Sequence, residues 1–392
     1  MKITAVSTTP IRIPVEHAPY STEGAGTKFH WGRRSRISPK RPAPMLEYVL
    51  VTIHTDAGIT GVGESQADIG FFGNTVEGVQ VAIDDYLGPQ LIGHDPFDRE
   101  RLMDIIDFRG HTCAKAGLDL ALHDLIGKAL DTPVSTLLGG RHRDAIPVSI
   151  EIAGGSPDAM AAECLRFMQQ GVRAFKPKLG GDPDQDADRL LAIREAVGPD
   201  VSLRADANQG YTPKEAIRLC RLAERYDIDL ELLEQPVAAW DLVGLAQVRR
   251  SVDVLIEADE ACYSIHDAMQ LIRHEAADVF NIKIGKAGGL LHAKKIAALA
   301  EAAGLQCVLG TAFGLGVEMA AKLQLAAATM NLVDAVEFTE IGLHPNLLGQ
   351  PEASALALPL ADGRLQVPTG PGLGVNLDPE SVERYTLAPE PA

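Results

Sequence analysis

The sequence predicts an α/β protein built on a (β/α)8-type, TIM-like barrel that follows an α+β N-terminal region. Two observations carry this. Between residues 147 and 340, eight short apolar runs alternate with amphipathic stretches, and such alternation implies parallel strands. In addition, Lys178, Asp206, Glu234, Asp259 and Lys283 end one of those runs or closely follow it, at intervals of 28, 28, 25 and 24 residues, about one strand-helix unit per gap. A barrel places the ends of its strands at one mouth, so the five would share a common space.

Residues 1 to about 14 alternate as a strand, and a loop rich in Gly, Ser, His and Arg follows through about Pro44. Leu46–Ile53 reads as a strand, Asp56-Ala57-Gly58 as a turn and Ile59–Glu64 as the returning strand of a hairpin. From about 75 to 130 the periodicity is helical. The repeat then begins. Val148–Ile152 is a strand with a helix from about Pro157 to Gln170, and Val172–Lys176 has a helix from about Asp184 to Val197. Val201–Arg204 is followed by a helix from about Thr212 to Tyr226, and further units begin near Leu230, Val254, Val279, Gln306 and Val333. No GxGxxG turn follows the first strand, which counts against an open doubly wound sheet. The tail from about 352 is rich in Pro and Gly and is expected to wrap back over the molecule.

Apolar residues at 46% and charged residues at 23% are ordinary for a globular protein with a sizeable core. A net charge of −17 argues against nucleic acid or an acidic membrane surface as partner, but leaves room for a small anionic substrate in a locally positive pocket. The five cysteines are odd in number and form no CxxC pattern, which points to free thiols in a reducing cytoplasm rather than disulfides or a zinc site. The N-terminal residues carry no signal-peptide core, and no run reaches the roughly 18 apolar residues of a membrane helix.

In Phe175-Lys176-Pro177-Lys178 the pleat puts Lys176 and Lys178 on one side. Two ammonium groups this close are expected to lower each other's pKa, which would suit a lysine to general-base work. A lone carboxylate at a strand end is ordinarily a helix cap or a solvated loop residue. Asp206, Glu234 and Asp259 end three consecutive strands, where they would repel one another unless a cation sat among them. An all-oxygen set suits Mg²⁺, and Asn208 and Glu260 would support it from behind. Lys283 ends the sixth run and Lys178 the second, so in an eight-strand barrel they face each other across the mouth. A carboxylate substrate held between them would present one face to each lysine. That arrangement suits removal of the proton beside the carboxylate, through an enediolate.

These motifs resemble those of the enolase superfamily, in its muconate lactonizing enzyme subgroup. Residues 114–140 resemble the family's signature helix and exit loop. Lys176-Pro177-Lys178 resembles its Lys-x-Lys motif, and Asp206-Ala207-Asn208, Glu234-Gln235-Pro236 and Ala258-Asp259-Glu260 its metal-binding motifs. Lys283 with Gly288-Gly289 resembles its sixth-strand base, and Pro371–Gly374 its tail. Sites of that superfamily pair a Lys or His base with Mg²⁺.

The resemblance implies that Asp206, Glu234 and Asp259 bind Mg²⁺, that Lys178 and Lys283 are the acid/base pair, and that Lys176 tunes Lys178. It implies an N-terminal domain of residues 1–135, joined by the tail 355–392, capping a (β/α)7β-type barrel of residues 136–354. Tyr20 and Trp31 on the first loop, with Phe313 and Glu340 in the seventh and eighth units, would contact substrate. The implied protein is a homo-oligomeric isomerase of a small carboxylate, either a racemase or epimerase or a cycloisomerase. An acid-sugar or hydroxy-acid dehydratase on the same scaffold and a non-catalytic binding barrel are the alternatives. The sequence departs from the family pattern in three places. Pro177 occupies the usually aliphatic middle of Lys-x-Lys. The seventh unit has no His, and has Gly314 where relatives often carry Glu. The eighth unit, Val336–Gly342, lacks the Asp-x-Asp pair with which dipeptide epimerases hold an α-ammonium group.

Overall fold

The computed structural model describes residues 1–15, 45–341, 343–349 and 358–388. Tyr20 and Trp31, and the loop that carries them, lie outside the described residues. The chain opens with an antiparallel meander of β1 (Ile3–Pro14), β2 (Met45–Thr55) and β3 (Thr60–Ala67). Gly58, at φ 73°, makes the turn between β2 and β3, a conformation that favours glycine. The helix Thr112–Ala129 lies directly on β3. A Cβ on Gly63 would fall 1.9 Å from the Gly117 carbonyl oxygen, so strand and helix touch backbone to backbone. Residues 113–127 of this helix are buried all round. One side meets the meander, and another meets the segment around Gly285 and Leu290.

Eight parallel strands follow: β4 (Ala145–Ile152), β5 (Ala174–Pro177), β6 (Ser202–Asp206), β7 (Leu230–Glu234), β8 (Leu255–Ala258), β9 (Val279–Ile282), β10 (Gln306–Leu309) and β11 (Val336–Glu337). β4 to β10 lie side by side in chain order, and β11 pairs with the free edge of β4. β10 and β11 share no ladder. Instead, residues just before β11 meet β10 at a single bridge, Cys307 to Leu332, with Cys307 N donating to Asn331 O at 2.8 Å and Val333 N to Cys307 O at 3.0 Å. The expected closed barrel is therefore seen as a parallel sheet whose last seam is one bridge wide. β11 is only two residues long.

Local chemistry explains the helices between the strands. Ser156, Asp182, Thr212, Asp241 and Ser264 each accept a backbone N–H from the first turn of the helix they precede. Thr212 with Glu215 and Ser264 with Asp267 complete capping boxes. The helices Leu290–Ala302 and Gly316–Ala327, after β9 and β10, have no such side chain of their own.

The tail runs back against β4 and the N-terminal region. β12 (Leu360–Ala361) and β13 (Arg364–Gln366) form a hairpin whose second strand runs antiparallel to β4. Further on, Leu373 N donates to Asp124 Oδ1 at 2.9 Å, and Leu387 N to Pro10 O at 2.9 Å. Among the described residues no helix is long and apolar enough to cross a membrane. All five cysteines are free and buried.

Side chains two apart on a strand share a side, so the pleat stacks the sheet's enclosed face in layers. Leu232, Val279 and Val308 form an apolar floor with Val333. Two residues further along β7 and β9 stand Glu234 and Asn281, and one more step along β9 reaches Lys283.

Candidate active site

The five spaced residues converge at the ends of β5 to β9, and sheet order places Lys178 and Lys283 on the two flanks of the carboxylate-bearing strands β6, β7 and β8. Asp206, Glu234 and Asp259 are fully buried, and Lys178 and Lys283 are each 6% exposed. Lys178 Nζ donates to Asp206 Oδ2 at 2.6 Å and to Glu151 Oε1 at 2.9 Å. Lys283 Nζ donates to Asp259 Oδ2 at 2.5 Å. Its ammonium also lies 4.5 Å from the centroid of the ring of Phe71, in the loop after β3, which stacks on Tyr263 in the loop after β8. The N-terminal region thus reaches over the Lys283 side.

Lys176 points inward beside Lys178 as the pleat requires, but its surroundings overturn the expectation that the two ammonium groups depress each other. Lys176 Nζ donates to Glu234 Oε2 and Glu337 Oε1 and lies 3.5 Å from Glu151 Oε1. Burial disfavours its charge, yet the carboxylates of Glu234, Glu337, Glu151 and Asp206 outweigh burial and hold its pKa well above the ordinary lysine value. Lys283 is likewise raised, against burial, chiefly by Asp259. Carboxylates, not a neighbouring ammonium, set the field here.

Sequence reasoning missed several groups in this field. Glu151 on β4, Glu257 on β8, Asn281 on β9 and Glu337 on β11 are all buried among these side chains. Lys286, in a turn with no obvious chemistry, donates to both the carboxylate and the carbonyl of Asp259, the latter at 2.7 Å. The signal for Glu257 and Asn281 was the same rule that paired Lys176 with Lys178: each stands two residues before a mouth residue, Asp259 and Lys283. Asn208 and Glu260 lie beside Asp206. Asn208 N donates to Asp206 Oδ1 at 2.7 Å and its amide to Glu260 Oε1 at 3.3 Å.

The donor set fits a divalent cation. Seven buried acidic side chains (Glu151, Asp206, Glu234, Glu257, Asp259, Glu260 and Glu337) stand with four lysines (Lys176, Lys178, Lys283 and Lys286), so carboxyl groups outnumber ammonium groups by three. The excess shows in individual groups. Burial and the charge of Asp206 push Glu234 well above the carboxylate range, burial with its acidic neighbours lifts Glu257 to about 8, and burial with Asp259 and Asp206 lifts Glu260 to about 7. Buried oxygens of Glu151, Glu257 and Glu260 also have no hydrogen-bond donor. Among the described residues, the carboxylates whose oxygens gather within 4.8 Å of one another are Glu234, Glu257 and Glu337, not the expected Asp206, Glu234 and Asp259. That deeper group surrounds the Lys176 ammonium, which already serves as its cation. Glu234 belongs to both groups.

Phe313, at φ 63°, is buried in an apolar cluster with Ile11, Tyr48, Leu50 and Leu343, and its carbonyl accepts from the Tyr48 hydroxyl. Glu340 accepts from Thr311 Oγ1 and, at 2.9 Å, from Lys322 Nζ. The Lys176 cage also yields a stability prediction. Replacing Lys176 with Met leaves buried carboxylates uncompensated and costs about 3–5 kcal/mol. Thermal denaturation should show a large fall in Tm, and an unchanged Tm would refute the assigned role.

The comparisons with known proteins agree with this geometry. Residues 159–381 match the family described as enolase C-terminal domain-like, and residues 43–139 match the mandelate racemase / muconate lactonizing enzyme N-terminal domain. The chain is 35% identical over 346 residues to a chloromuconate cycloisomerase of Cupriavidus pinatubonensis, covering 87% of this chain and 91% of that protein. It is 31% identical over 389 residues to an N-succinyl-L-Arg/Lys racemase of Bacillus cereus, covering 99% and 98% of the two chains. The crystal structure of a dipeptide epimerase from Enterococcus faecalis, complexed with Mg and the dipeptide L-Leu-L-Tyr, superposes with a TM-score of 0.83 at 30% identity, covering 96% of this chain and 100% of that one. The chain therefore belongs to the mandelate racemase / muconate lactonizing enzyme family of the enolase superfamily, and it is an isomerase.

Proposed function

We propose that this protein is a Mg²⁺-dependent racemase of an N-acylated α-amino acid, with Asp206, Glu234 and Asp259 as metal ligands and Lys178 and Lys283 as the two acid/base groups. The observation that carries the reading is the sheet order: two lysines on β5 and β9 bracket three carboxylates on the strands between them. In this reading the eight strands close into a barrel, supported by the β11–β4 pairing and the bridge at Cys307.

Bound there, Mg²⁺ would neutralise charge building on the substrate's carboxylate and take up part of the carboxylate charge that now raises the proton affinity of Lys283. Lys178 Nζ would take the α-proton from one face and Lys283 Nζ would return one to the other, inverting the carbon. Phe71 over Lys283 would keep water from that side. Substrate choice follows from the eighth unit. Its two carboxylates already face lysines, Glu337 with Lys176 and Glu340 with Lys322, so neither offers an unmatched charge to a free α-ammonium group. An amino acid whose nitrogen is acylated carries no such charge. The N-succinyl amino acid racemase and the dipeptide epimerase among the relatives mark the two sides of this distinction.

A second reading, cycloisomerisation of an unsaturated dicarboxylate, rests on the likeness to the chloromuconate cycloisomerase. Incubating the Mg²⁺ enzyme with N-succinyl-L-arginine, L-Ala-L-Glu and cis,cis-muconate separates the readings. Chiral chromatography should show loss of optical purity for the N-succinyl substrate. Lactone formation from muconate without racemisation would favour the second reading, and turnover of neither would defeat both.

A further inference from the structure

Five of the seven barrel helices cap their own N-termini with Ser, Asp or Thr. The two that do not are those after β9 and β10, the units that carry Lys283 and Phe313. Both take their caps from the N-terminal region. Asp119, on the helix Thr112–Ala129, accepts through Oδ2 from Leu290 N at 2.6 Å and Leu291 N at 3.3 Å. Glu64, on β3, accepts from Leu315 N at 2.6 Å and Glu318 N at 3.0 Å. The fit around Asp119 is close. The residue before Leu290 is Gly289, at φ 121°, where a Cβ would lie 2.4 Å from Asp119 Oδ2. A side chain there, including one that could cap the helix itself, would displace the incoming carboxylate.

From this geometry we infer that Asp119 is a positioning residue for Lys283, so that the base on one face of the substrate is held in place by the N-terminal region. The reading rests on the two-lysine function proposed above. The connection is short. Lys283 precedes the four-residue helix Ile284–Ala287, which leads through Gly288 and Gly289 to the amides that Asp119 fixes. Lys286, within that short helix, is pinned to Asp259 and Asn281 O. Asp119 thus anchors the far end of a segment whose near end carries a proposed base, Lys283, and donates to a proposed metal ligand, Asp259. Asp119 is fully buried, and His123 Nδ1 stands 3.2 Å from its Oδ2. Despite burial, His123 and the capped amides hold its carboxyl below the usual range, so it caps as an anion. Glu64 differs: burial and Glu318 push it up to about 8. On the opposite flank, the helix that follows Lys178 is capped by its own Asp182.

The test compares the full-length Mg²⁺ enzyme with Asp119→Ala, Asp119→Asn and, as a control for losing an ordinary cap, Ser156→Ala. Amide exchange by mass spectrometry should be at least tenfold faster across residues 283–291 in Asp119→Ala, partly restored in Asp119→Asn, and unchanged there in Ser156→Ala. α-Deuteration of N-succinyl-L-arginine and of its D enantiomer should become lopsided in Asp119→Ala, with the Lys283-dependent enantiomer losing at least tenfold more than the other. Asp119→Asn keeps an acceptor oxygen and serves if the alanine variant does not fold. Unchanged exchange across 283–291 in both variants would overturn the inference, as would faster exchange with equal losses for both enantiomers. If the wild-type enzyme deuterates neither enantiomer, the racemase reading fails, while amide exchange still decides whether Asp119 fixes the Lys283 segment.

Discussion

Removing either lysine should split the reaction into its two halves. Lys283→Ala should lower the racemisation rate by about 10²–10⁴, the range general acid–base groups supply. It should nevertheless still exchange the α-proton of the enantiomer whose hydrogen faces Lys178. Lys178→Ala should show the mirror pattern, and the double variant neither. The fold should survive Lys283→Ala, because Asp259 keeps Lys286 as a partner. Lys283→Arg should not rescue exchange, since a guanidinium stays protonated and cannot act as a base. Following deuterium incorporation into each enantiomer separately checks this. Equal loss of exchange from both enantiomers in a single variant would show that the lysines do not divide the faces.

The second large effect concerns the metal. Glu234→Gln should weaken Mg²⁺ binding and lower turnover by roughly 10²–10³ or more, because Lewis-acid stabilisation is worth several kcal/mol and each 1.36 kcal/mol is tenfold. This variant is a cleaner probe than one at Asp259, since Lys176 keeps Glu337 when Glu234 is neutralised. Loss of Asp259 would strand Lys283 and Lys286 together. Calorimetric titration with Mg²⁺ and turnover after chelation and readdition measure the two halves of the claim. Full activity after exhaustive chelation would exclude the metal role. Full activity with intact Mg²⁺ affinity in Glu234→Gln would remove Glu234 from the ligand set.

The strand-helix rhythm was legible because the units repeat similar local chemistry: a short apolar run and then, in five of the seven, Ser, Thr or Asp before the next helix. The five mouth residues were legible for the same reason, since period-2 alternation and even spacing bring them together without tertiary knowledge. The field around them was less visible. Glu337 reaches Lys176 from a strand 161 residues away, and no local pattern marks a carboxylate as the partner of a particular ammonium. Hence the pKa direction expected for Lys176 was reversed. One ammonium neighbour was counted, and the carboxylates arriving from β4, β7 and β11 were not. Asp119 and Glu64 were hidden for a related reason. They act on backbone amides of distant helices, and the sequence signal is negative: Gly289 and Leu315 stand where a capping side chain would be expected.

Two bases on opposite faces of one metal-held carboxylate would each leave a signature in proton nuclear magnetic resonance of the α-hydrogen in D₂O. Each enantiomer of N-succinyl-arginine is given separately to the Mg²⁺-loaded enzyme. Deuterium should appear at the α-carbon from either starting enantiomer, and none after chelation. Exchange from one enantiomer only, or exchange that persists without the metal, would contradict it.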